Sequence, residues 1–212
     1  MSEILSALEI RNLIYKYYPK NISSNSLEYE KSQENRRLLH AVQASRSDSR
    51  WLDFINETES KINQQFIDRS TYAISTPCLK SELAYNTGKH SYLVSFYCSV
   101  IADLYGFKIK NIFIDHEVRK RRIDDFSEGE LQNYLKELKI KSEKHESNNP
   151  VMINQYPEEL LTIILSLVAT QKQIFGYNLL PVELANTVLP DVSTNLKELG
   201  KASYFDCIFC DH

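Results

Sequence analysis

Glycine is scarce in this chain, five in 212 residues, and that scarcity removes a class of functions. Loops that cradle phosphates need glycine where the backbone turns tightly or approaches a ligand closely. No phosphate loop, dinucleotide fingerprint or nucleophile elbow occurs, so a nucleotide-binding role loses its usual footing. Cysteine is sparse too: the four thiols sit at 78, 98, 207 and 210, which is not the framework of a disulfide-rich secreted protein, and reduced thiols are expected. Charge of one sign is also lacking. Twenty-eight acidic and 25 basic residues leave a formal charge of −3, so attraction to phosphate backbones is not built into the whole chain, and a protein partner is electrostatically easier than nucleic acid.

Long apolar runs are missing as well. The longest, Leu160 to Ala169, is too short to span a bilayer, and Met1-Ser2-Glu3-Ile4-Leu5 has no basic segment leading into an apolar core. The expectation is a cytoplasmic protein with no membrane partner.

What is present is apolar and aromatic: 42% hydrophobic residues, with 13 Tyr and 9 Phe, ample for a sizeable core. The reading is one α+β domain over residues 1–212. Its centre is a mainly antiparallel sheet at about residues 70–115 plus a C-terminal strand, with N-terminal helices and a buried helix near 157–174.

The stretch Lys89 to Asp115 holds two runs rich in β-branched and aromatic residues, broken at Leu104-Tyr105-Gly106, and reads as the central strand pair. Asn86-Thr87-Gly88-Lys89 suits a hairpin leading into it. Before the sheet, apolar spacing predicts helices over about 4–14, 33–42 and 49–62, the last capped by Asp48 or Ser49 and turning Trp51, Leu52, Ile55 and Ile62 inward. After it, Ser127 and Glu130 form a capping box that opens a helix over about 128–141. Pro157-Glu158-Glu159 starts the strongest helix, apolar nearly all round and expected against the sheet. Ser203 to Phe209 reads as the closing strand.

Four groupings have a chemical look. Cys207, Cys210 and His212 place two thiols and an imidazole at a spacing that is half of a structural zinc site, but neither Cys78 nor Cys98 supplies the second half. Asp115-His116-Glu117 offers acid–base groups at a strand end, yet neighbouring strand residues point to opposite faces. His90 with Cys98 has the chemistry of a base and nucleophile without a motif to bring them together. Arg119 to Arg122 are surrounded by Glu117, Asp124, Asp125, Glu128 and Glu130, which reads as a self-neutralised surface. On these grounds no catalysis, no cofactor and no metal is expected. A small metal-binding module or hydrolase built on the Cys207, Cys210 and His212 tail is the alternative.

Three segments together resemble a known group: Tyr18-Pro19-Lys20 with Tyr29 and Ser32 to Leu38; Tyr92 to Tyr105; and Val188 to Thr194 with Tyr204 to Phe209. In that order they are similar to small cytosolic immunity proteins of bacterial polymorphic toxin systems. The resemblance implies a non-catalytic α+β protein that neutralises a cognate toxin domain by covering its active or substrate-binding surface. It marks no interface residues. Charge alone suggests Asp115, Glu117, Asp124, Asp125 and Glu128, because toxins that attack nucleic acid carry basic clefts that carboxylates complement.

Overall fold

Central strand β3 is buried at almost every position, and the computed structural model, which describes residues 5–70, 76–87, 90–112 and 156–209, shows why: helices cover both of its faces. Among the described residues the sheet has five strands in the order β1 (Ile67–Asp68), β2 (Cys78–Asn86), β3 (Ser91–Ser99), β4 (Leu104–Ile112) and β5 (Asn178–Leu179). The first four are antiparallel; β5 lies parallel to β4. Seven helices accompany them among the described residues: α1 (Ala7–Ile14), α2 (Leu27–Lys31), α3 (Gln33–Ser45), α4 (Ser49–Ile62), α5 (Glu158–Ile174), α6 (Val182–Ala185) and α7 (Tyr204–Phe209). The α+β class and the mostly antiparallel sheet agree with the sequence reading. No helix among the described residues is long and apolar enough to cross a membrane.

Side chains alternate across a strand, so successive β3 residues feed two cores. Tyr97 joins Cys78, Leu104 and residues of α1, α3 and α7 on one face. Val94, Phe96 and Cys98 join α4 and α5 on the other. In α4 the buried residues Trp51, Phe54, Ile55 and Thr58 follow the spacing of one helical face. Leu52, expected inward, is 62% exposed, and fully buried Phe54 takes that core place, stacked on Phe96 at 5.0 Å. Helix α5 begins as expected, with Pro157 at its N-cap and Glu158 and Glu159 in its first turn, but it is two-faced. Leu160, Ile163, Ile164 and Leu167 are buried in one core with α4 and the sheet, while Leu165 is 68% exposed on the opposite side.

Two expectations are corrected. The strand break lies at residues 100–103, where the Leu104 amide donates to the Ala102 carbonyl at 2.7 Å, and Leu104-Tyr105-Gly106 are strand. The closing strand at 203–209 is helix α7. Ser203 and Asp206 form its capping box: the Ser203 amide donates to Asp206 Oδ2 at 2.9 Å and the Asp206 amide to Ser203 Oγ at 3.1 Å. Tyr204, Phe205, Cys207, Ile208 and Phe209 are all buried, so this short helix fills space on nearly every side. The capping box and helix placed at 127–141 lie outside the described residues.

Chain segments far apart in sequence are stitched beside this helix layer. Tyr15 Oη donates to the Asp191 carboxylate at 2.8 Å and accepts from Arg11 Nε at 2.6 Å. The Ser24 amide donates to Ser193 Oγ at 2.7 Å, and Ser193 Oγ donates to the Ile22 carbonyl at 2.9 Å. These bonds hold the end of α1 against the loop that precedes α7.

Candidate functional site

Asp115, Glu117, Asp124, Asp125 and Glu128 lie outside the described residues, as do His116, Cys210 and His212. Cys207 is fully buried in α7, its side chain part of the core. Cys78 Sγ donates to the Phe209 carbonyl at 2.8 Å, a bond that ties β2 to the end of that helix. His90 stands just before β3 and Cys98 near its far end, about 26 Å away at strand rise, so they form no base–nucleophile pair. Among the described residues no three of His, Cys, Asp and Glu come together as a metal site.

Among the described residues two clefts open on α3. The smaller, about 240 Å³, lies between α3, the start of α4 and the turn after α5, and brings Asp48, Arg50, Cys98, Phe175 and Tyr177 together. Asp48 caps α4 by accepting from the Arg50 amide at 3.0 Å. Arg50 folds back on the same carboxylate, with Nη2 2.6 Å from Oδ2, and its guanidinium lies over the Phe175 ring at 5.2 Å. That hydrogen bond raises the Arg50 pKa further and holds the Asp48 carboxyl below its usual range. Burial pushes the Cys98 thiol far up, so it stays protonated at neutral pH and makes a poor nucleophile. Burial raises the Tyr177 phenol as well. The ionisable groups here neutralise one another or stay uncharged, and the cleft presents no activated base or nucleophile.

The larger cleft, about 460 Å³, runs between the end of α1 and the outer face of α3. It is lined by Lys16, Tyr17, Arg36, Arg37, His40 and Ala41. Helical spacing sets His40 one turn after Arg36 and Ala41 one turn after Arg37. Arg37 is steered into place by two long hydrogen bonds, from Nη1 to the Lys16 carbonyl at 3.5 Å and from Nη2 to Gln33 Oε1 at 3.4 Å. The first reaches the negative end of α1, where a guanidinium is favoured. Among the described residues no carboxylate forms an ion pair with Lys16, Arg36 or Arg37. Ala41 lines both clefts, so the two meet on one helix.

The sequence alone gives Lys16, Arg36 and Arg37 no site role. Nothing in the local pattern joins positions twenty residues apart; the packing of α1 and α3 into one core does.

No family of known proteins, no curated protein and no solved structure matches this chain.

Proposed function

We propose that this chain is a non-catalytic binding protein, an immunity protein that neutralises a cognate toxin domain by occluding its active or substrate-binding surface. The observation that carries the reading is how charge and reactive groups are distributed. Where polar chemistry meets a buried wall, it is cancelled: Asp48 is engaged by Arg50, and Cys98 is held as a neutral thiol. Where charge is left uncompensated, it stands exposed, at Lys16 just past α1 and at Arg36 and Arg37 on the outer face of α3. A surface built in that way suits recognition of a macromolecule. The resemblance of three segments to immunity proteins supports the same reading and supplies the kind of partner.

In this proposal the protein acts in the cytoplasm, needs no cofactor and does not use nucleic acid as a partner. Asp115, Glu117, Asp124, Asp125 and Glu128 supply carboxylates that approach a basic toxin cleft. The test is co-expression with the variable C-terminal domain of a large secreted protein encoded next to this chain. Survival that depends on this chain supports the proposal, and death regardless of it refutes it. Charge reversal of the five acidic residues then weakens protection and removes its salt dependence; unchanged protection discards that surface. Elemental analysis tests the tail alternative, since stoichiometric zinc that disappears in Cys207→Ser would replace this reading with a metal-binding module.

A further inference from the structure

The cleft between α1 and α3 sets three permanent cations and an imidazole around an apolar floor, in a chain whose net charge is −3. From this we infer that the cleft is a seat for an acidic polypeptide segment, whose Asp or Glu side chains pair with Lys16, Arg36 and Arg37 while a neighbouring apolar side chain lies on Tyr17 and Ala41. The inference rests on the binding reading above and names a second contact surface for the same partner, opposite in charge to the carboxylates proposed there.

Each part follows from the geometry. Arg37 spends two of its five donors on the Lys16 carbonyl and Gln33, which fixes the guanidinium and leaves the other donors for a ligand. Arg36 and His40 share a stripe of α3 one turn apart, so they present donors to the same side of an extended guest. A planar guanidinium matches a carboxylate with two parallel hydrogen bonds. The half-buried Tyr17 ring, Ala41 and the aliphatic stems of the cationic residues give the floor an apolar character that suits peptide better than bare phosphate. Nucleic acid is disfavoured because the cations form one compact cluster, not a stripe that follows a backbone, and the chain as a whole repels a polyanion.

The experiment uses the full chain and a fluorescein-labelled peptide of alternating glutamate and leucine, read by fluorescence anisotropy at low and moderate salt. Binding is expected at low salt, weakened by added salt. Arg36→Glu with Arg37→Glu should weaken it about tenfold or more. Lys197→Glu with Lys201→Glu, which changes net charge equally but lies outside the cleft, should leave it within about twofold. All four positions are exposed, so each variant is expected to keep the parent's circular dichroism and melting curve. Arg36→Gln with Arg37→Gln gives the same test with a smaller change of charge. Absence of peptide binding overturns the inference, and so does equal loss in both reversal pairs. Inorganic phosphate that displaces the peptide at submillimolar concentration, or a single-stranded DNA 12-mer that binds more tightly, would also overturn it, as a phosphate seat. The assay needs no toxin, so the two readings fail separately. Protection without peptide binding sinks only the cleft, and peptide binding without protection sinks only the immunity role.

Discussion

Gly106 is the position at which a single methyl group tests the packing of α7 on the sheet. It sits in β4 opposite Tyr97, and a Cβ built there would come 2.8 Å from Phe209 Cε2 and 3.2 Å from Phe205 Cε2. Carbon atoms in contact prefer about 3.5–4.0 Å, so the Phe209 ring must retreat by roughly 0.7 Å or more. It has little room to do so. Phe209 is fully buried, with the Phe205 ring centroid 4.8 Å away and that of Tyr97 5.7 Å away. Overpacking of this kind costs about 1–3 kcal/mol. Replacing glycine in a strand returns about 0.5–1 kcal/mol, because the unfolded chain loses freedom. The steric cost wins, and Gly106→Ala should destabilise by about 1–2 kcal/mol, lowering the melting temperature by roughly 2–8 °C for a chain of this length. Urea or thermal unfolding followed by circular dichroism measures it. Phe209→Leu destabilises by itself through the space it leaves, but it also makes room for the new methyl. The double variant should therefore lose less than the sum of the two single losses. A Gly106→Ala protein as stable as the parent, or strictly additive losses, would refute the close seating of α7 on β4.

Further outcomes follow from other buried groups. Burial by itself would raise the Glu82 carboxyl, but hydrogen bonds from Arg69 and Lys80 outweigh it and hold the pKa below the usual carboxylate value. A depressed pKa contributes stability above the unfolded value, about 4.3, and that contribution is lost as pH falls through the folded value. The stability gap between parent and Glu82→Gln in urea titrations should therefore narrow from about pH 6 to pH 3, and a constant gap would contradict the network. Gln171 is fully buried in α5, and neither its Oε1 nor its Nε2 has a hydrogen-bond partner. Gln171→Met keeps the volume and removes the unmet polar atoms, so it should stabilise by about 1–2 kcal/mol; a lower melting temperature would show that the amide is satisfied. Cys98 should resist iodoacetamide at about pH 8 in the folded protein and react at the rate of unfolding as urea is added. Alkylation as fast as that of free cysteine would reopen a nucleophilic role.

Where a rule is local, the residues announce the structure. Asp48 caps α4, Pro157 and the two glutamates open α5, and β2 pairs antiparallel with β3 from Asn86 opposite Ser91, each as the pattern predicts. The failures share one cause. Ser203 to Phe209 is aromatic and apolar enough to read as a strand, yet its capping box and a space needing cover on nearly all sides make it a helix. The closest signal was Ser203 followed three residues later by Asp206. Gly106 read as a break because glycine is uncommon within strands, and it is there because two phenylalanine rings of α7 leave no room for a Cβ. Leu52 and Leu165 carry apolar side chains outward, which hydrophobicity alone does not foresee.

For the candidate site the division is sharper. The amino-acid pattern by itself determined the α+β class, the antiparallel core, most helix starts and the absence of phosphate-loop and nucleophile motifs, because periodicity, caps and turns act over a few residues. Only the tertiary structure decided that Lys16 meets Arg36, Arg37 and His40 in one cleft, and that the buried Cys98 meets Arg50 and Tyr177 in another. Those meetings depend on α1 and α3 sharing one core and α5 sharing the other with the sheet, which follows from the summed burial of two cores and from no local sequence rule.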